Sequence, residues 1–421
     1  MTKKSKPRGP SEARYQEPRW IVQGKGDPAI DVPAVQSAID SAPEDGRTVY
    51  LKGTFSFEDQ SGARQVTIKN WARIIGFDEF GNRAIIQGGN VPFKVASNDQ
   101  AVSISGVHFV SPKLFAIQIT SVKGLSIANC KIDKVTPVLV TLTMGGNTYQ
   151  FHNAGGINAS GPNVSGNLNI TDNEIDVGGS SSDRTFGILF SGVGSQTAQA
   201  TIVIAKNKVS NVTAHGVDVR DINGTGRATI ELNEIRAGVV GGQNLSLPDK
   251  FVDGIRCVGK GTYIVVDNLI YCGYQNSAGI RLQSSPTAQI KEARVGEKIG
   301  PRGSIEARPN QINMGPYLTV AADTSENAAI ELRRNCALNT VSNNKIAGQA
   351  RAVLSLIAEP NITPSDKNTF VDNDHQGFTS EQADIFVCSG VSNTKIQGGT
   401  GGTIWDEGVG TIHTPKYLDV M

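Results

Sequence analysis

Apolar and polar residues alternate with a period of two through most of the chain, and the alternation returns in segments that end alike. LSIANCKI, LNITDNEI, IVIAKNKV, ATIELNEI, YIVVDNLI and NTVSNNKI each run into an asparagine, one variable residue and one apolar residue, and TFVDNDH is a weaker copy. Aligned on that asparagine they give Asn129, Asn173, Asn207, Asn233, Asn268, Asn344 and Asn373, at spacings of 44, 34, 26, 35, 76 and 29 residues. The 76-residue gap has room for a degenerate copy around AQIKEARVGEKI. A period of two predicts strands with one face buried. Repeats of a few tens of residues suit a solenoid whose coils stack about 4.8 Å apart in parallel register. Propeller blades would need four strands each, closed by hairpins, and paired Asn-Gly hairpin signals are sparse. The asparagine column then marks one corner of every coil. There it can take a left-handed conformation and bond the neighbouring turn, as a structural ladder.

A second element recurs after each asparagine: FAIQIT, GGINAS, FGILFS, HGVDVR, DGIRCV, AGIRLQ and AAIELR. Small, apolar, variable, apolar describes a strand entered through a tight turn, with its variable position facing outward. Each coil thus shows two strands, and a third is expected in the less regular linking sequence. Stacked coil on coil, the outward column reads Gln118, Asn158, Leu189, Asp218, Arg256, Arg281 and Glu331. Two residues on it reads Ser160, Ser191, Arg220, Val258, Gln283 and Arg333. Asp218, Arg220, Arg256, Arg281, Glu331 and Arg333 concentrate charge in the middle of this face, flanked by the expected turn residues His215, Asp221 and Asp253. A cationic face with a few carboxylates and a histidine is what recognition of a uronic-acid chain requires, because arginine holds a carboxylate through two parallel hydrogen bonds. Alternating Asp and Arg on a parallel stack also neutralise one another, so the same residues equally describe a solubilising surface.

The amino end follows another pattern. Asp31 reads as the cap of a short helix beginning Val32-Pro33-Ala34, and Val32, Val35, Ala38, Ile39 and Ala42 form its apolar stripe. An open solenoid exposes apolar side chains and unpaired backbone groups at its end, so a covering helix is expected there. The predicted organisation is a basic, flexible tail over 1–20, capping helix and first coils over 21–100, coils over 101–395, and a carboxyl-terminal cap or tail over 396–421. The longest break in the pattern, QIKEARVGEKIGPRGSIEARPNQINMGPY, is placed as a loop walling the charged face.

Composition narrows the partners. With 40 Lys and Arg against 39 Asp and Glu, the net charge of +1 gives no reason to expect a nucleic acid or an anionic membrane. Glycine at 47 of 421 residues fits many tight turns. Cys130, Cys257, Cys272, Cys336 and Cys388 are widely spaced and odd in number, which indicates small buried residues rather than disulfides or a zinc site. The basic start has no apolar core of a signal peptide. Cytoplasm is therefore the default location, with an extracellular protein as the alternative if the amino terminus is processed or truncated.

The helix and strands of DVPAVQSAIDSAPEDGRTVYLKGTFSF, followed by NEI and NKI coils and GI-x-L strands over roughly 20 to 395, resemble the right-handed parallel β-helix proteins of the pectate-lyase-like superfamily. The resemblance implies an all-β fold, a single-stranded right-handed parallel β-helix with an amino-terminal amphipathic capping helix. It also implies a polysaccharide partner, and it leaves chemistry open, since that superfamily includes lyases, hydrolases, epimerases and non-catalytic spikes. Polygalacturonase-like enzymes carry an adjacent aspartate pair, Gly-His-Gly and Arg-Ile-Lys, whereas this chain has only Ala214-His215-Gly216. The Asp-Pro-His-Asp string of alginate epimerases is absent, and Asp372-Asn373-Asp374-His375 lies on the asparagine column itself. No phosphate-binding, zincin, α/β-hydrolase or dinucleotide-binding string occurs.

The charged face then supports three expectations. Lyase or C5-epimerase chemistry on a uronic acid would use Arg256 or Arg281 to neutralise the sugar carboxylate and His215 as base or acid. Glycoside hydrolysis would use Asp218 and Asp253 as paired carboxylates. A non-catalytic, spike-like or carbohydrate-binding solenoid would use the face for contact alone. Arg220, Asp221, Glu331, Arg333 and Asn158 complete the substrate-binding set. No cofactor is indicated, although acidic outward residues and a substrate carboxylate are able to share Ca2+. His108 and His152 read as structural, and Tyr149, Phe151, Tyr271 and Tyr274 as rim aromatics.

Overall fold

The computed structural model describes residues 19–45, 48–58, 64–77, 80–98, 100–144, 147–180, 183–240, 243–244, 252–259, 261–273, 277–283, 293–295, 310–314, 328–333, 336–337, 339–358, 366–380 and 382–420. Most of the tail over 1–20, Tyr274 and most of the long break over 289–317 lie outside these residues, as do the side chains of Tyr149 and Phe151.

Each regular coil has three short strands, as in Ala200–Ala205, Lys208–Val212 and His215–Arg220. The strands of these coils pair in parallel with their counterparts one coil on, so three faces run along the molecule. On the first face Leu168, Ile202, Ala228 and Tyr263 succeed one another. On the second, Ile175, Val209, Ile235, Ile270, Ile312 and Ile346 do so. On the third, Val217, Ile255, Ile280, Ile330 and Leu354 do so. These inward columns form one continuous buried core, and the architecture is the parallel β-helix that the period of two and the repeats imply. Parallel pairing continues past residue 396, with Ile404 beside Ile385 and Tyr417 beside Gly402.

The third strand of the coil is not in the linking sequence. It follows the asparagine directly, as Glu174–Asp176 or Glu234–Ala237, and forms the second face. The corner before it divides two tasks between adjacent residues. The left-handed backbone belongs to the residue preceding the asparagine: Asp172 at φ 57°, Lys206 at 57°, Leu232 at 58°, Asp267 at 56°, Asn343 at 56° and Asp372 at 50°. The asparagine itself is buried and works through its side chain. Nδ2 of Asn173, Asn207, Asn233 and Asn268 donates to Oδ1 of the next rung at 2.9, 3.0, 2.9 and 3.0 Å. The series runs on through Asn310, Asn344 and Asn373.

Two positions differ from the sequence alignment. Asn310 is the rung missing from the 76-residue gap; the degenerate strand there, Ala293–Val295, pairs with Tyr263–Val265 and is separated from its corner by an insertion. At the other end Asn129 is the left-handed residue, φ 55°, and Cys130 holds the ladder position, its N–H donating to Asn173 Oδ1 at 2.9 Å.

The small residue opening each third-face strand answers a packing demand rather than a turn. A Cβ on Gly216 would lie 2.3 Å from Ile235 Cγ2, and one on Gly254 2.4 Å from Ile270 Cγ2. The second face closes over the third at that point.

Helix α1 spans Pro28–Asp45 and starts earlier than expected. Asp27 caps it, accepting from Ala29 N at 2.8 Å, and Pro28 opens the first turn, where its missing N–H costs nothing. Asp31 lies one turn inside and is buried. Its two oxygens accept from Lys25 N and Ser56 N, both at 2.8 Å, which fastens the helix to the strand Thr54–Ser56. Val35, Ala38 and Ile39 bury the expected stripe against the first coil. Four of the five cysteines are buried and Cys388 is half-buried. No helix among the described residues is long and apolar enough to cross a membrane.

Candidate functional site

The third face carries the outward column in the register the motif implies. Gln118, Asn158, Leu189, Asp218, Arg256, Arg281, Glu331 and Ser355 occupy successive rungs. The position three residues earlier forms a second column, Phe186, His215, Asp253, Ala278 and Ala328, so His215 and Asp253 are strand residues on adjacent coils rather than turn residues. Parallel stacking thereby brings together side chains up to 116 positions apart, from His215 to Glu331.

The face is far less open than an outward column suggests. Asp218, Asp253 and Glu331 are 0% exposed, His215 1% and Arg281 2%. Alternation decides which side of a sheet a side chain takes, not what covers it there. Here the charges cover one another. Arg220 Nε donates to Asp218 Oδ2 at 2.8 Å, with Nη2 on the same oxygen. Arg281 Nε donates to Asp253 Oδ1 at 2.9 Å and its Nη1 to Glu331 Oε1 at 2.7 Å. Arg333 Nη1 lies 3.9 Å from that same Glu331 oxygen. Arg281 is thus spanned between two carboxylates below the surface. The side chains of Arg220, at 28% exposure, and Arg333, at 17%, together with half-buried Arg256, form the accessible layer.

His215 lies between these layers. Arg256 Nη1 is 3.0 Å from its Nε2, and Arg256 Nη2 donates to Gln283 Oε1 at 2.9 Å. A guanidinium has no acceptor, so Nε2 carries the lone pair and the ring proton sits on Nδ1. Nδ1 faces Asp253 Oδ2 at 3.1 Å, off the line of a straight hydrogen bond, while Asp218 Oδ2 is 3.8 Å from Nε2. Burial pushes the His215 imidazole below its ordinary value, against the opposing pull of Asp218 and Asp253. Burial also pushes the two carboxyls upward, but the guanidinium of Arg220 beside Asp218, and of Arg281 beside Asp253, with His215 and Arg256 adding to each, holds both below the usual carboxylate range. The arrangement is a neutral histidine beside an ionised aspartate and covered by the Arg256 guanidinium. Among the described residues no hydrogen-bond partner reaches Asp218 Oδ1 or Arg256 Nε.

Two residues of this site went unnoticed in the sequence. Phe186, 5% exposed, sits on the rung before His215, ring centroids 5.6 Å apart. Arg184, two residues earlier, lies 5.5 Å from the Phe186 centroid, and Arg220 lies 6.0 Å from it. Their signal was available, since Asp-Arg-Thr-Phe runs straight into the Gly-Ile motif of the same strand, Asp183–Ser191. With Arg184 included, five guanidinium groups, Arg184, Arg220, Arg256, Arg281 and Arg333, face the three carboxylates of Asp218, Asp253 and Glu331.

The remaining expected residues divide. Asn158 is on the same column, 8% exposed, but Leu189 separates it from Asp218. Asp221 lies in the left-handed turn after the strand, φ 50°, its carboxylate against Gly259 of the next coil. His108 pairs with Asp133 at 2.8 Å on the second face, away from the site. His152 belongs to the strand Asn147–Ser160, whose first half folds back antiparallel on Val138–Met144, and its Nδ1 is 4.0 Å from Asp183 Oδ1. Tyr271 lies on the second face beneath Arg236, 4.8 Å from guanidinium to ring centroid. Among the described residues no group of three or more His, Cys, Asp and Glu side chains converges as a metal centre.

No protein-family model matches the chain, and no curated protein does. Among solved structures it is similar to the A-module of the Azotobacter vinelandii mannuronan C-5 epimerase AlgE6, at 13% identity and a TM-score of 0.44, over 93% of this chain and 97% of that one. It is also similar to tailspike protein 3 of bacteriophage CBA120, at 11% identity and a TM-score of 0.37, over 94% of this chain and 60% of that one. At these identities and scores neither likeness decides what this chain binds or does.

Proposed function

We propose that the third face binds an anionic polysaccharide and acts on it by proton transfer at the carbon beside a uronate carboxylate, as a lyase or C5-epimerase. The observation that carries this reading is the contact of Arg256 with His215 Nε2 at 3.0 Å, within a face that carries several guanidinium groups. A substrate carboxylate is the better partner for a guanidinium, through two charge-assisted bonds. Drawn to it, Arg256 would leave Nε2 and neutralise the acid group in one movement. The contact that makes the C5 proton acidic is then the one that frees the base. His215 Nε2 takes that proton, and Asp253 stabilises the imidazolium. In elimination the C–H electron pair forms the C4–C5 double bond, the C4–O bond breaks, the leaving oxygen takes up a proton from water, and the imidazolium of His215 returns its proton to solvent. In epimerisation a proton returns to C5 from the opposite side of the ring.

Arg281 serves this scheme indirectly, by holding Asp253, since its own bonds are spent on buried carboxylates. Hydrolysis by Asp218 and Asp253 is disfavoured, because an acid for glycosidic cleavage needs a raised pKa and both groups are held low. Pectate, alginate and related uronans are the substrates to assay, reading the ultraviolet absorbance of an unsaturated product and deuterium uptake at C5. Arg256→Gln is expected to lower the rate by about 10²–10³-fold. Reducing ends without either signal would select hydrolysis. Binding with neither reaction would select a non-catalytic, spike-like solenoid.

A further inference from the structure

A separate groove of about 530 Å³ lies on the first face near the amino end, a volume typical of small-ligand sites. Its polar lining comes from Trp71, Arg73, Ser103, Lys123, Ser126 and Asn167. Parallel register explains why a groove exists there. Arg73, Ser103 and Ser126 occupy successive rungs and point outward, since Ala72, Val102 and Leu125 beside them are buried. The position before these is held by Trp71, Ala101 and Gly124, followed by Asn167. Two small residues therefore sit between an indole and an amide, and leave a trough two rungs wide. A Cβ on Gly124 would have Ala101 Cβ at 3.6 Å and Asn167 O at 3.9 Å as its nearest neighbours, so the trough is open at its middle. On the partner strand Val164–Thr171 one extra residue interrupts the pairing between Lys123 and Leu125. That bulge re-aims Asn167, which is exposed at the far rim.

We propose that this groove is a second carbohydrate site and that it takes an acidic sugar. Half-buried Trp71 offers an apolar ring face of the kind on which a pyranose stacks. Ser103, Ser126 and Asn167 supply donors and acceptors for hydroxyls. Lys123 is exposed, and among the described residues no carboxylate lines the groove, so its field favours an anion. None of these residues belongs to the third face, and the proposal does not rest on the activity proposed there.

Intrinsic tryptophan fluorescence of the full chain, in a Trp405→Phe background, tests it with galacturonate oligomers and neutral galactose oligomers as probes. Acidic oligomers are expected to quench saturably, with neutral ones binding about tenfold more weakly. Trp71→Ala should abolish the quench and weaken binding measured by calorimetry at least about tenfold. Ala101→Trp, on an exposed position, fills the trough without removing a contact group and should also weaken calorimetric binding. Lys123→Glu should weaken only the acidic oligomers, and Arg256→Gln should leave the groove unaffected. Absence of a saturable signal in the parent, or unchanged calorimetric affinity in both Trp71→Ala and Ala101→Trp, would overturn the site. Equal response to acidic and neutral oligomers would overturn its preference for acids.

Discussion

Two columns of buried polar side chains run along this solenoid, and they solve the same problem differently. At the corner between the first and second faces, each asparagine accepts from the coil before it, donates to the next, and uses its second amide hydrogen on a backbone carbonyl, as Asn207 does to Ile170 O at 2.8 Å. The unit is neutral, repeats without change and uses nearly all its bonding capacity. On the third face the buried groups are charged, no two rungs are alike, and atoms such as Asp218 Oδ1 and Arg256 Nε are left over. Burying charge costs free energy unless every partner is present, whereas a fully bonded amide costs little. A stack that needed only a fold had the cheaper solution beside it, which is why the charged column carries the functional proposal.

The largest expected difference lies in removing one member of each. Asp253→Ala leaves His215 without its nearest carboxylate and Arg281 with Glu331 alone, in a fully buried setting, and should destabilise by about 3–5 kcal/mol. Asn233→Ala leaves the backbone and side-chain donors of Asn207 without their acceptor, and should cost about 2–3 kcal/mol. Urea unfolding midpoints compare the two directly. If the ladder variant proved the more damaging, the charges would be weaker partners than their distances imply.

Acid separates the columns further. The folded pKa of His215 is lowered by burial below the ordinary value of 6.5. Between those two values the unfolded chain holds a proton that the folded chain lacks, so this stability is complete above pH 6.5 and is lost as pH falls below it. The limiting slope is about 1.4 kcal/mol per pH unit for each such histidine. His375, lowered by burial against Asp384 and Asp374, adds its own share. Asp218 and Asp253 are also depressed, and their contribution is present above the ordinary 3.8 and lost only in stronger acid. Thermal midpoints in mildly acidic buffers should therefore fall for the parent, fall less for His215→Gln, and fall less again for His215→Gln with His375→Gln. Asn233→Ala should shift the whole curve without changing its slope, because an amide does not titrate.

These columns were unequally legible. The ladder asparagines announce themselves because every coil needs the same residue at the same offset. Even so, Asn310 was hidden by the insertion after Ala293–Val295, and Cys130 by a neighbouring asparagine that serves the backbone instead. For the charged face, the rung order from Gln118 to Glu331 followed from the motif, since stacking converts equal offsets into contacts. Burial did not follow, because covering depends on how Arg220, Arg256 and Arg281 fold across their neighbours, which no periodicity encodes. Arg184 escaped notice because it precedes the motif, and Phe186 because it opens the FGILFS copy as an apolar residue and becomes a site residue only when His215 stacks beside it.

The smallest expected effect tests the corner itself. If the ladder asparagine and the left-handed residue before it have separate tasks, the second can be improved without touching the first. Leu232 is the least suited occupant: it is 43% exposed, holds φ 58°, and has no side-chain oxygen with which to bond its own turn. Aspartate or asparagine fills the same position at 172, 267, 343 and 372. Left-handed backbone costs ordinary side chains on the order of 1 kcal/mol and asparagine much less. Leu232→Asn should therefore stabilise the chain by about 0.5–1 kcal/mol, read as a higher urea midpoint at unchanged slope. The same change would be damaging if Leu232 supported Asn233 through packing, and a lowered midpoint would mean that the two tasks are not separable.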